Sequence, residues 1–129
     1  MNAIKAIIIF IIVISNSAYA QDAFSEKFIA AAQKASPSVV SIQVFVIENG
    51  HYRKVGYASG TIISSKGYVV TNYHVVSKGT VYQINLADGT ECEIETFADG
   101  ATYRMDEKTD IALLKVRHPA GISLQPIEF

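Results

Sequence analysis

The stretch from Ser59 to Val76, "SGTIISSKGYVVTNYHVV", decides the fold. Two short β-branched runs, "SGTIIS" and "YVVTN", flank "SKG", and Gly67 stands where a positive φ costs little, so the stretch reads as a hairpin that delivers His74 at its far end. The signature recurs along the chain. "SVVSIQVFVIE" precedes it, "TVYQINL" and "ECEIETF" follow around the turn "ADG" with Gly89, and "DIALLKV" comes after a loop. "ENGHYRKVG" reads as a polar connection between strands. Six or seven short strands with no helix long enough to cross between them exclude a parallel α/β sheet and imply an all-β, antiparallel small barrel or sandwich.

Outside this run, "DAFSEKFIAAAQKA" (22–35) places Phe24, Phe28, Ile29 and Ala32 at helical spacing, and Ser36-Pro37 stops it, which predicts a short N-terminal helix within a segment 21–36. Residues 1–20 read as a signal peptide. Lys5 supplies the positive start, Ala6 to Ile14 the apolar stretch and Ala18-Tyr19-Ala20 the small-residue site, so export with cleavage after Ala20 is expected. Nine unbroken apolar residues fall short of the roughly 20 that span a bilayer. Losing this segment removes Lys5 alone and takes the formal charge from −1 to −2. Acids and bases are mixed throughout, so no basic face speaks for nucleic acid. The 129 residues, half of them apolar, suit one domain, 37–129. Cys92 is the single cysteine, so no internal disulfide forms within the chain; its commonest use is as a small buried residue, and the register that settles its direction is open.

A histidine after a strand is by itself more often a cap or a core group than a catalyst. Asp110 alters that balance. It opens the apolar run "DIALLKV", where a carboxylate near the interior needs a partner, and His74 is the candidate. The plainer alternative is that Thr109 and Asp110 only form a turn ahead of the strand.

Four ordered motifs, "SPSVVSI", "SGTIISSKGYVVTNYHVV", "INLADGT" and "TDIALLKV", together resemble the first half of the HtrA (Do-like, DegP-type) serine proteases, exported members of the trypsin-like class. The resemblance covers nearly all of 36–127. It implies two six-stranded antiparallel barrels with the active site between them, of which 37–129 is the first. It also implies periplasmic protein quality control, with unfolded or misfolded proteins as substrates, a homo-oligomer assembled through the segment around 22–35, and no cofactor or metal. Carried over, His74 matches the general base and Asp110 the acid that orients it. The family's nucleophilic serine lies in a "GNSGGP"-type segment of the second barrel, and no residue here matches it. The second barrel and the peptide-binding PDZ domains are likewise not matched, and "ENGHYRKVGYA" is short where some members carry a long regulatory insertion.

Other nucleophiles fare poorly. Ser59 in "GYASGTII" is not a G-x-S-x-G elbow, and Cys92 matches nothing in the family's site. His51, His74, His118 and Cys92 lack the spacing of a zinc site. The expectation is a serine endopeptidase fragment that is inactive alone. The alternatives are half of a split protease completed by a separate chain with the second barrel, and a noncatalytic chaperone-like module that binds peptides on the exposed barrel face.

Overall fold

The structure, a computed structural model, describes residue 23 and residues 25–129. The signal-peptide reading and Phe24 therefore lie outside the described residues. The chain divides into two compact units at Lys34/Ala35. Helix α1 occupies residues 25–35, with Phe28 and Ile29 exposed, and the 3-10 turn Ser36–Ser38 containing Pro37 follows in sequence. Among the described residues no helix is long and apolar enough to cross a membrane.

The second unit is a closed antiparallel barrel built from β1 (Val39–Glu48), β2 (His51–Ile62), β3 (Tyr68–Asn72), β4 (Val81–Asn85), β5 (Glu91–Ile94), β6 (Tyr103–Asp106) and β7 (Ile111–Arg117). The sheet runs β3-β2-β1-β4-β5-β7-β6 and closes by pairing β3 with β7. Six positions make up the wall, because β5 and β6 share one side of β7. Ile94 pairs with Val116, and Tyr103 to Asp106 pair with Leu114 to Ile111. Inward residues alternate with outward ones, as a pleat of period two requires. Val40, Ile42 and Val44 of β1 meet Ile84 of β4 and Ala112, Leu114 and Val116 of β7 in one core, each almost fully buried. Each buried valine, isoleucine or leucine contributes roughly 1.5–3 kcal/mol. Cys92 faces this core, which closes the question of its direction.

Gly60 lies across from Val40, and a Cβ there would come within 2.6 Å of Val69 Cγ1. Glycine is what lets β2 and β3 approach. At the β2–β3 turn the Gly67 N–H donates to the Ser64 carbonyl at 3.1 Å, and Gly67 takes φ 96°, as its place in "SKG" implied. Gly89 takes φ 88° in the β4–β5 turn.

Three elements differ from the sequence expectation. "ENGHYRKVG" is the end of a long hairpin rather than a connection: Glu48 pairs with His51 around a two-residue Asn49–Gly50 turn, with φ 52° and 76°. Its polar character follows from exposure, since residues 47–54 stand in solvent and no alternation is imposed on them. Only Glu91–Ile94 of "ECEIETF" is strand, and the loop beyond it contains β6, whose "YRMD" is largely exposed and carries no apolar signal. Finally, "YHVV", to which the sequence assigns no element, is a single helical turn, α2 (Tyr73–Val76).

Candidate active site

His74 and Asp110 are 36 residues apart in sequence and meet through the barrel's closing register. Asn72, the last residue of β3, pairs with Ile111, the first of β7. The residues just beyond these ends, His74 and Asp110, therefore share one rim. Helix α2 is pinned there by its apolar members: Val76 is fully buried, and Tyr73 and Val75 pack against the core. Tyr73 and Tyr82 flank Tyr103 with ring centroids 6.3 and 6.4 Å away, the second edge-on. The buried Tyr82 hydroxyl shares its proton between the carbonyls of Val76, at 2.7 Å, and Gly79, at 2.9 Å. Burial pushes its pKa up to about 12, with the Tyr103 hydroxyl adding to the shift. With three of its four side chains turned to the barrel, α2 presents its remaining one, His74, outward, 62% exposed.

Asp110 reaches it from an unusual backbone. Its φ is 57°, in the left-handed region that aspartate and asparagine tolerate better than other residues with a Cβ. In that conformation its carbonyl accepts the Tyr73 N–H at 3.1 Å, its Oδ1 accepts the His74 N–H at 2.7 Å, and its Oδ2 meets His74 Nδ1 at 2.5 Å. The Asn72 amide donates to Oδ2 at 3.3 Å. The N–H of His74 first, then its ring and the Asn72 amide, hold the Asp110 carboxyl below the usual carboxylate range, outweighing its slight desolvation. An ionised carboxylate only accepts hydrogen bonds, so Nδ1 carries the proton and the neutral ring keeps its lone pair on Nε2. Nε2 enters none of the described hydrogen bonds. A ring so fixed can take a proton from a hydroxyl placed at Nε2.

The structure thus brings together both residues singled out from sequence. Asp110 is half-buried at the strand start, and it satisfies both readings of "TD" at once, the pairing and the turn. Sequence reasoning missed Asn72, Tyr82 and the one-turn helix itself; a strand ending directly before the histidine was the only hint. Ser59 does not join the pair. It is an exposed residue of β2 opposite Ser41, and its carbonyl receives the Thr71 hydroxyl at 2.8 Å. Cys92 is a core thiol whose pKa burial raises, the opposite of what a nucleophile needs. Among the described residues no three histidine, cysteine or carboxylate side chains gather to hold a metal.

Comparison with known sequences gives the chain a family. The pattern of the trypsin-like peptidase domain matches residues 58–129, a stretch that holds both His74 and Asp110. The chain belongs to the trypsin-like peptidase family. Within it, the chain is similar to the HtrA/DegP proteases. A "Probable periplasmic serine endoprotease DegP-like" of Brucella suis is 49% identical over 70 residues, covering 54% of this chain and 12% of the relative. Its namesake in Bartonella henselae is 42% identical over 71 residues, covering 55% and 13%. "Serine protease HTRA1B" of Danio rerio is 39% identical over 89 residues, covering 67% and 17%. The chain therefore spans a small part of these relatives' length. Its closed six-stranded antiparallel barrel is the trypsin-like architecture expected from the four motifs.

Proposed function

We propose that His74 and Asp110 are the general base and the orienting acid of an exported serine endopeptidase of the HtrA/DegP type. The nucleophilic serine would be supplied by polypeptide outside these 129 residues, whether continuous with them or separate. The observation that carries the reading is the double grip of one carboxylate on His74, through its main-chain N–H and through Nδ1. A merely structural histidine needs no fixed tautomer, whereas a base must keep its outer nitrogen unprotonated and aimed. The relatives named as periplasmic support the same compartment for this chain, consistent with the leader read at residues 1–20. Unfolded protein is the substrate class we assign.

On this reading the chain alone cleaves nothing above background, because base and acid without nucleophile and oxyanion hole lack the groups that attack and stabilise. The experiment is hydrolysis of casein by the full chain, by its His74→Ala variant, and by each after addition of a separately produced polypeptide bearing a trypsin-like second barrel with its serine. Cleavage that needs the added polypeptide and disappears with His74→Ala is the expected outcome. Cleavage by the chain alone that is lost in His74→Ala would place the nucleophile among these residues and overturn the proposal.

A further inference from the structure

The pairing of β6 with β7 leaves four residues, Glu107 to Asp110, between the partners Asp106 and Ile111. This turn contains no glycine, and its last residue holds the left-handed backbone on which the contact with His74 depends. Rotation of Asp110 to a negative φ would carry its carboxylate off both donors of His74. Something must hold the turn, and its own main chain does so weakly: the Asp110 N–H reaches the Glu107 carbonyl only at 3.3 Å.

From outside the turn, Asp110 is held by the Tyr73 N–H on its carbonyl at 3.1 Å and by His74 on its carboxylate; within the turn, the shorter bonds end on one side chain. Asp106 Oδ1 accepts the Lys108 N–H at 3.1 Å, and Asp106 Oδ2 accepts the Thr109 hydroxyl at 2.9 Å. Both oxygens of the carboxylate are therefore spent on the two residues that immediately precede Asp110. Asp106 is itself placed by the ladder, as the last residue of β6 and the partner of Ile111. Asn72 also touches Asp110, but at 3.3 Å to Oδ2 and 3.5 Å to the carbonyl, which are long for hydrogen bonds.

We infer that Asp106 is the positioning residue of the His74–Asp110 pair: its carboxylate ties Lys108 and Thr109 so that Asp110 is held facing the imidazole. The inference rests on the reading of that pair given above. Asp106 touches neither the ring nor any reacting atom, and it acts only through the backbone of Asp110.

The test reads the imidazole directly, by long-range nitrogen–proton NMR of His74 in the full chain at a pH where the ring is neutral. Wild type is expected to hold the proton on Nδ1. Asp110→Asn serves as the reference for a broken pair, since an amide can donate to Nδ1 and so drives the proton to Nε2. Asp106→Ala should lower the ratio of the Nδ1–H to the Nε2–H form about fivefold, the factor one net hydrogen bond is worth. Asp106→Asn, whose side-chain carbonyl still accepts from Lys108, should restore most of it. The barrel's strand amide resonances should stay unchanged in both.

An Asp106→Ala chain that keeps its strand resonances and the wild-type tautomer ratio overturns the inference while leaving the pair intact. Equal tautomers in wild type and Asp110→Asn defeat the pair itself, and the inference with it. Should Asp106→Ala not fold, Thr109→Val decides, because it removes a single bond of the brace: a fallen Nδ1–H fraction supports the assignment and an unchanged one overturns it.

Discussion

Asn49 and Asp110 are the non-glycine residues with positive φ among the described residues, at 52° and 57°, and they use the same backbone for different ends. Asn49 shares a two-residue hairpin tip with Gly50, in solvent, and its side chain enters none of the described hydrogen bonds. It only reverses the chain. Asp110 closes a four-residue turn that the Asp106 carboxylate braces at Lys108 and Thr109, and its own carboxylate and carbonyl together take bonds from Asn72, Tyr73 and His74. The lesson is that a left-handed residue marks a site only when its side chain is engaged. Residue type alone does not separate the two, because asparagine and aspartate tolerate this conformation for the same steric reason.

The largest effect expected from breaking the engaged turn is on catalysis. In an assembly that supplies the serine, Asp110→Asn should keep the backbone and lower turnover about 10⁴-fold through the wrong tautomer, measured by steady-state peptide hydrolysis. Loss of less than tenfold would mean that Asp110 is as dispensable as Asn49. A third left-handed turn, at Gly67, sharpens the contrast in stability: a Cβ there would lie 2.2 Å from the Val116 carbonyl oxygen. Gly67→Ala should cost about 3 kcal/mol or more in urea unfolding, since strain and clash add.

Tyr82→Phe comes next, at about 1–2 kcal/mol, because the two carbonyls that its hydroxyl serves lose that partner. It should also loosen α2, read as faster amide exchange at Ser77, whose N–H closes the turn on the Tyr73 carbonyl. Asn49→Ala should cost only about 1 kcal/mol, the penalty of an ordinary side chain in the left-handed region. Its effect on the His74 ring should be nil. The smallest effect is in acid. Folding depresses the Asp110 carboxyl, so its contribution to stability is complete above the unfolded-state value of about 3.9 and fades as pH falls through the lower folded value. Carbon NMR of Asp110 should show titration below the ordinary carboxylate range in wild type, and a return toward it in His74→Ala.

Where the barrel buries one face of a strand and turns the other outward, its sequence was legible. The alternation in "SVVSIQV" and "DIALLKV" names Val40, Ile42, Val44, Ala112, Leu114 and Val116 as one inward face, and "SKG" and "ADG" name their left-handed glycines. Legibility ends where solvent takes over. The tip of the β1–β2 hairpin and "YRMD" of β6 have no fully buried residue to write a pattern, so both read as loop. The site was half legible: His74 and Asp110 stand out by type and by motif, but the one-turn helix is too short for a periodic signal. The left-handed Asp110 depends on partners from β3, α2 and β6 that no local window contains.

The closing pairing of β3 with β7 also sets a time at which the pair can exist. It joins residues about 40 positions apart, contacts whose loop-closure entropy must be met before they form, and such contacts are slow to arrive in folding. A chain newly delivered in unfolded form carries an ordinary histidine and an ordinary aspartate. It acquires an oriented imidazole only once β3 and β7 have paired, so the contact between His74 and Asp110 is a reporter of barrel closure that a partly folded copy does not give.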